Sequence, residues 1–335
     1  MENRNMKKNA IIILAALFAL TSCYGSYIKD STSQGVGFAN NVDVRTVVVG
    51  EGMKFSTGVA LAGVINNGED RTVGYTVDES LANTTALAAM QNHTLSYINE
   101  LAADLTALKP LPSSEYSLVN EGGQDGTTVI KKNTHLGKIT VQVDSAAYLA
   151  GSASMFPEFV VPLKITSGNG LDIISGFEST VIGVRYENML FGNWYHGGKA
   201  TCTLASGKDS TATYATEIPQ STSKVWTLKT VSPHSLTANA VAGELNGSPA
   251  QMKLTLSPDG SILIEPVSGA TYAVESDGES RFNRARLLQD RKVFLKYKYT
   301  DSEGKLWHAV DTLTFRNRVR DGVNEWQDEN QENYK

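Results

Sequence analysis

Asp301 and Glu303 are the nearest approach in this sequence to the pair of carboxylates that hydrolyses a glycosidic bond, one giving a proton while the other attacks or activates water. They stand in Asp301-Ser302-Glu303-Gly304, a glycine-terminated stretch between two apolar runs where acids serve turn geometry, so they are assigned to a hairpin turn. Five histidines, His93, His135, His196, His234 and His308, are scattered singly, with no i,i+4 pair and no Cys or Asp cluster at metal-ligand spacing. There is no Gly-x-Ser-x-Gly elbow and no phosphate-cradling glycine loop. Lone Cys202 reads as a small buried hydrophobe. No catalytic residue, metal site or cofactor is expected.

Aromatic side chains offer a different chemistry. A sugar presents apolar C–H faces and hydroxyl rims, which suit an exposed Trp or Tyr beside short polar side chains. The second half of the chain holds Trp194, Tyr195, Tyr214, Trp226, Tyr272 and Trp307. Each also has a core reading, because most Trp and Tyr in an antiparallel domain pack inside. Trp226 shares an apolar face with Leu228 and Thr230, whereas Trp307 has Lys305 and Ala309 on its face and is expected to be more exposed. Trp307 and Trp194 are the expected platform, Tyr195 and Trp226 are further ligand-binding candidates, and Trp326 is assigned to packing.

Cys23 carries a third chemistry. Arg4, Lys7 and Lys8 precede the apolar stretch 10–20, which is the layout of a secretory signal and too short to span a bilayer. Leu20-Thr21-Ser22-Cys23 then has the form of a bacterial lipobox, so residues 1–22 are expected to be removed and Cys23 to carry lipid. An ordinary signal with a coincidental cysteine is the plainer alternative. If Cys23 is acylated, Cys202 has no partner and the exported protein must be held by its core, without a disulfide. A net charge of −5 argues against nucleic acid as a partner. The residues just after Cys23 hold Lys29 and Asp30, compatible with a surface or a periplasmic orientation at the outer membrane.

These side chains need elements to position them. The polar residues 23–41 read as a tether. Strands are expected at Asp43 to Val49, Lys54 to Leu61, Val73 to Val77, Thr127 to Lys131, Lys138 to Val143 and Phe159 to Thr166, where Ile139, Val141 and Val143 alternate with polar residues. Between them, 79–108 reads as helical, with Leu95, Ile98, Leu101, Leu105 and Leu108 on one face, lying across a sheet edge or barrel mouth, and Pro110 and Pro112 stop it. From about residue 188 the pattern is consecutive hairpins: Thr211 to Ile218, Lys224 to Thr230, Met252 to Leu256 with Ser261 to Pro266, and Lys292 to Thr300 with Lys305 to Phe315. In Lys292 to Thr300, Val293, Leu295, Tyr297 and Tyr299 share one face. Such spacing implies an antiparallel barrel or sandwich over 188–327, after a first strand-rich domain over 42–187, with a polar tail 328–335. The expected class is all-β with one helical insertion.

Three stretches, Gly74-Tyr75-Thr76-Val77-Asp78, Leu111-Pro112-Ser113-Ser114-Glu115-Tyr116-Ser117-Leu118 and Val160-Val161-Pro162-Leu163-Lys164-Ile165-Thr166, resemble the immunoglobulin-like domain of unknown function at the front of many Bacteroidetes surface lipoproteins. The second half, from Phe191-Gly192-Asn193-Trp194-Tyr195 to the stretch Asp311 to Trp326, resembles the lipocalin-like domain of unknown function that often follows it. The helical segment is longer than that pattern has. In relatives this front domain precedes glycan-binding, lectin-like or glycosidase domains encoded in polysaccharide-utilisation loci. The resemblance implies an immunoglobulin-like β-sandwich over 42–187 ahead of the barrel, in a lipid-anchored outer-membrane protein that binds a glycan or adheres without catalysis. A scaffold subunit contacting other surface proteins of the same locus, and a lipocalin-like carrier with an open apolar barrel, are the other two readings.

Overall fold

The computed structural model describes residues 30–31, 33–120, 122–204, 206–213, 224–242 and 250–328. Cys23 with its lipobox, Tyr214 and the tail beyond Asp328 lie outside the described residues. The protein is all-β, an immunoglobulin-like sandwich followed by a closed barrel.

The sandwich is built from β1 (Gly35–Phe38), β2 (Val42–Val49), β3 (Lys54–Ala62), β4 (Arg71–Val77), β5 (Lys109–Pro110), β6 (Tyr116–Asn120), β7 (Thr127–Ile130), β8 (Leu136–Val143), β9 (Phe159–Ser167), β10 (Asp172–Ile173) and β11 (Ser179–Asn188). One sheet runs β10-β1-β3-β8-β6, the other β2-β11-β9-β4-β7 with β5 beside β9. Their facing sides share a core that includes Val36, Phe38, Val59, Val141, Val161, Leu163 and Ile182. Strand β8 behaves as its alternation requires, with Ile139, Val141 and Val143 buried and Lys138 exposed.

Two expectations are corrected here. The tether does not extend to residue 41, because Gly35-Val36-Gly37-Phe38 pairs antiparallel with β3 and buries Val36 and Phe38, and Asp30 already accepts a hydrogen bond from the Ile65 N–H at 2.7 Å. Gly37 is required by close approach, since a Cβ there would meet Phe177 Cβ at 2.8 Å. The segment 79–108 is not one amphipathic helix but a 3-10 turn (Glu79–Leu81) and two short helices, Thr84–Gln91 and Ser96–Ala102. The break falls where polar side chains claim the backbone: His93 Nδ1 accepts from the Leu95 N–H at 3.1 Å and Asn99 Nδ2 donates to the His93 carbonyl at 2.7 Å. Leu95 is left 46% exposed, while Ile98 and Leu108 are buried.

The two helices do not sit at an edge or a mouth. Leu87, Met90, Ile98, Ala102 and Leu108 cover the outer face of the second sheet, against Val42, Val44, Val160 and Val181. Strands β2, β9 and β11 are therefore buried on both faces, which explains their near-continuous apolar sequences, and β2 and β11 pair in parallel.

The second domain comprises β12 (Gly192–Thr203), β13 (Asp209–Thr213), β14 (Lys224–Ser232), β15 (Ser235–Ala238), β16 (Met252–Leu256), β17 (Ser261–Pro266), β18 (Ala273–Ser276), β19 (Ser280–Phe282), β20 (Lys292–Thr300), β21 (Leu306–Arg320) and β22 (Val323–Glu325). The path β12-β14-β15-β16-β17-β19-β20-β21 closes through β12 and β21, paired from Asn193↔Asn317 to Thr201↔His308, so eight strands form a barrel. In a barrel of this size side chains fill the interior. Trp194, Trp226, Leu228, Leu254, Leu295, Tyr297 and Phe315 do so, each buried. The described interior positions thus hold a packed core where a small-ligand carrier would need open space.

Candidate functional site

The β20–β21 hairpin lies at the end of the barrel opposite the start of β20 and the end of β21. Its turn is held by Asp301, whose Oδ1 accepts from the N–H groups of Glu303 at 2.9 Å and Lys305 at 2.8 Å. Its Oδ2 accepts from Trp307 Nε1 at 2.8 Å, and these hydrogen bonds, the indole's foremost, hold the Asp301 carboxyl below its usual range. Trp307 is half-buried and lies nearly parallel to Tyr299, with ring centres 6.5 Å apart at 11°. Tyr272 meets Tyr299 edge-on at 5.5 Å. The result is an aromatic row, Tyr272, Tyr299 and Trp307, whose outer members are both half-buried and whose indole plane is fixed by a carboxylate. Around it stand Lys305, paired with Glu303, and His308, whose Nδ1 lies 2.6 Å from Asp277 Oδ2.

The other predicted platform residues are placed elsewhere. Trp194 and Trp226 are both 0% exposed, so neither can offer a face to a ligand, and both readings as binding residues are corrected. Alternation along β12 turns Trp194 and His196 inward, where Trp194 meets Phe315 edge-on at 5.3 Å and donates Nε1 to the Leu190 carbonyl at 3.0 Å. Trp226 stacks on His196 at 4.5 Å. Tyr195 is half-buried, and the Arg316 guanidinium lies 5.8 Å from its ring centre. Trp326, assigned to packing, is instead 57% exposed just after β22, and Val319 and Val323 of the β21–β22 hairpin are 60% exposed each.

Two polar constellations had no signature in local spacing. Inside the barrel, Asp311 Oδ2 accepts from the Tyr297 hydroxyl at 2.5 Å and lies 3.0 Å from His196 Nε2, while the Ala242 N–H donates to the Tyr297 hydroxyl at 2.7 Å. All three side chains are buried, so this chain orders the interior and does not meet solvent. Among the described residues no group of three or more His, Cys, Asp and Glu converges to hold a metal.

The second constellation joins the domains. Glu51, from the turn after β2, accepts from Arg291 Nη1 at 2.6 Å, Arg318 Nη1 at 2.9 Å and Arg318 Nη2 at 2.8 Å. Arg318 Nε also donates to Glu325 at 2.5 Å. Burial works to raise the Glu51 carboxyl, but the two guanidinium groups outweigh it and hold the group below its usual range. At the tip of the β21–β22 hairpin, Asp321 accepts from the Thr46 N–H at 3.1 Å and hydroxyl at 2.7 Å. Val48 of β2 belongs to the barrel core, so apolar packing crosses the junction as well. This end of the barrel encloses a cleft of about 390 Å³, lined by loops of both domains.

A family model described as an N-terminal domain matches residues 26–172, ending before β11. No curated protein matches the chain. Among solved structures, a Bacteroides ovatus protein of unknown function is similar at 18% identity and a TM-score of 0.59, with 90% of this chain and 99% of that chain covered. A multidomain protein including DUF1735 from the same species reaches 14% identity and a TM-score of 0.39, covering 87% of this chain and 99% of that one. A candidate carbohydrate-binding protein, also from Bacteroides ovatus, reaches 14% identity and 0.28, covering 69% of this chain and 66% of that one. The last two scores carry no argument. The first is a likeness of fold, and the chain shares its sandwich-and-barrel architecture with that Bacteroides protein of unknown function.

Proposed function

We propose that this chain is a lipid-anchored outer-membrane protein that binds a glycan without catalysis through the far rim of its barrel. The observation that carries the reading is the clamp on Trp307. A half-exposed indole whose N–H is fixed by Asp301, and whose back rests parallel to Tyr299, offers a pre-oriented apolar face to the C–H face of a sugar. Pre-orientation matters because ordering costs consume most of the gain from one or two stacking contacts, so affinity is weak per site and many copies on one membrane act by avidity. Cys23 supplies the anchor in this reading, and Asp301 and Glu303 serve the turn.

The test is titration calorimetry of a broad panel of neutral glycans against the chain beginning after Cys23 and its Trp307→Ala variant. Binding by the wild type that is lost in the variant, with circular dichroism unchanged, is the expected result. Binding that survives the substitution overturns the site. Separately, Cys23→Ser is expected to move the protein to the soluble fraction, and a variant that still needs detergent overturns the anchor.

A second reading rests on the exposed apolar side chains Val319, Val323 and Trp326 at the β21–β22 hairpin, where Val319 stands opposite Asn324 and Val323 opposite Arg320, on the two faces of the ribbon. Large apolar side chains exposed on one projecting hairpin suit a protein contact, and if no glycan binds, a scaffold subunit of a surface complex is the reading that remains.

A further inference from the structure

We infer that the cleft at the domain junction is a second site, which takes the carboxylate or sulfate of an acidic saccharide. The inference shares only its ligand class, glycan, with the proposed function and uses none of the same residues. Five segments converge there: the β2–β3 turn at Gly50, the link at Asn188–Met189, the β14–β15 turn at Pro233–His234, the β16–β17 turn and the segment from Phe282 to Arg291. Of the residues lining the cleft, three are arginine, one is histidine and none is acidic.

What makes this a built site is the division of labour among the arginines. Arg291 is buried and engaged through both terminal nitrogens, giving Nη1 to Glu51 and to the Met189 carbonyl at 2.8 Å and Nη2 to the Arg286 carbonyl at 3.0 Å. Asn283 closes the same loop, donating to the Asp290 carbonyl at 2.8 Å and accepting from the N–H groups of Ala285 at 3.2 Å and Lys292 at 3.0 Å. The segment is thereby fixed at both ends and at its middle. Arg284 and Arg286, which it carries, are exposed, and neither guanidinium makes a hydrogen bond or ion pair among the described residues. Arg284 adopts the left-handed backbone region, at φ 58°, and its stem lies where a side chain on Gly260 would stand. The acid in the adjacent turn, Asp259, feels the Arg284 charge but spends its Oδ1 on the Ser261 N–H at 3.0 Å and hydroxyl at 2.7 Å.

Two unengaged guanidinium groups on a stapled loop are arranged for paired hydrogen bonds to an anion. The remaining wall is apolar, with Met189, Pro233, Leu256, Pro258 and Phe282 among its residues, and the volume lies toward the small end of ligand pockets. An inorganic ion would leave that wall idle. A sugar ring bearing a carboxylate or sulfate uses both halves.

The test titrates the full mature chain with a galacturonate trisaccharide, a sulfated galactose disaccharide, the neutral galactose trisaccharide and inorganic sulfate, at low and high salt. The comparison variants are Arg284→Gln/Arg286→Gln and, as a remote control with the same change of charge, Lys132→Gln/Lys138→Gln. The expected result is that at least one acidic saccharide binds, weakens with salt, and loses affinity about tenfold or more in the arginine variant but not in the lysine variant. No binding of either acidic sugar, equal loss in both variants, or sulfate binding as tightly as the sugar overturns the inference. Because the arginine variant leaves the Trp307 rim untouched, a neutral glycan that binds while both acidic sugars fail would sink this site and leave the proposed function standing, and the reverse pattern would do the opposite.

Discussion

At its junction end the barrel buries Glu51, Arg291 and Arg318 together, whereas at the opposite rim, about 30 Å away along the nine residues of β20, one carboxylate in a surface turn holds an indole half open to solvent. The same strands feed both ends, so the contrast comes from what the loops must do. A loop that faces another domain has to satisfy every charge it brings in, because an unpaired buried ion costs several kcal/mol. A loop that faces water can leave side chains underused, and an underused but fixed side chain is available for binding. The cleft beside Arg291 combines the two: buried charge fixes the loop and exposed charge remains on it.

The sharpest way to break this contrast is to compare tryptophans. Trp226→Ala and Trp194→Ala remove fully buried side chains from the barrel core and are expected to cost about 3–5 kcal/mol each, read by chemical denaturation. Trp307→Ala should leave the fold intact. The phenylalanine variants sharpen the point, because Trp194 Nε1 satisfies the Leu190 carbonyl while Trp226 Nε1 is buried without a hydrogen-bond partner among the described residues. Trp194→Phe is therefore expected to cost about 1–3 kcal/mol more than Trp226→Phe, and equal costs would show that the Leu190 carbonyl finds water instead.

Next in size is the junction. Glu51→Ala takes the shared carboxylate from the buried guanidinium groups of Arg291 and Arg318, and the expected loss is about 3 kcal/mol with earlier, separate melting of the two domains. A single unchanged transition would show that the domains do not depend on this network. The same measurement bears on whether each domain folds alone.

How much of this could be read from the sequence follows from which periods the contacts obey. Val293, Leu295, Tyr297 and Tyr299 alternate as a half-buried strand must, and Asp301-Ser302-Glu303-Gly304 reads as a turn, so the far rim was legible in outline. That Asp301 also clamps Trp307 could have been suspected from six residues' separation across a hairpin. Trp194 was misplaced because Gly192-Asn193-Trp194-Tyr195 has no alternation that tells inside from outside, and only pairing with both β14 and β21 turns the indole inward. Strand β11 escaped because both its faces are covered, leaving no polar side to mark a period. Glu51 is separated from Arg291 by 240 residues and from Arg318 by 267, so their meeting is a property of domain docking alone.

Asp301→Ala is expected to act on binding more than on fold. It frees the indole to sample other orientations, and for a glycan held on Trp307 the affinity should fall about two- to tenfold, the cost of ordering one side chain. Asp301→Asn keeps one acceptor oxygen, which can hold Nε1 only by giving up the turn N–H groups, and should restore part of it. If alanine and asparagine behave alike, the clamp has no part in recognition.

The smallest effect separates two carboxylates of the same junction. Glu51 is held below its usual range by Arg318 and Arg291 against the opposing effect of burial, so its contribution to stability is present above about pH 4.5 and is lost as pH falls through its lowered value. Asp321 is shifted the other way, because burial outweighs its hydrogen bonds from Thr46, and its folded form binds a proton more tightly than the unfolded chain does. Stability linked to Asp321 therefore declines as pH rises from 3.8 through its raised value, and protonation on acidification partly offsets the loss at Glu51. Asp321→Asn keeps an oxygen for the Thr46 N–H and removes the charge. It should change stability at neutral pH by less than about 1 kcal/mol, while making the decline between pH 5 and pH 3 steeper than in the wild type. Denaturation midpoints across that range decide the matter: coincident profiles would mean that the hairpin tip at Asp321 is as well solvated in the folded protein as in the unfolded chain.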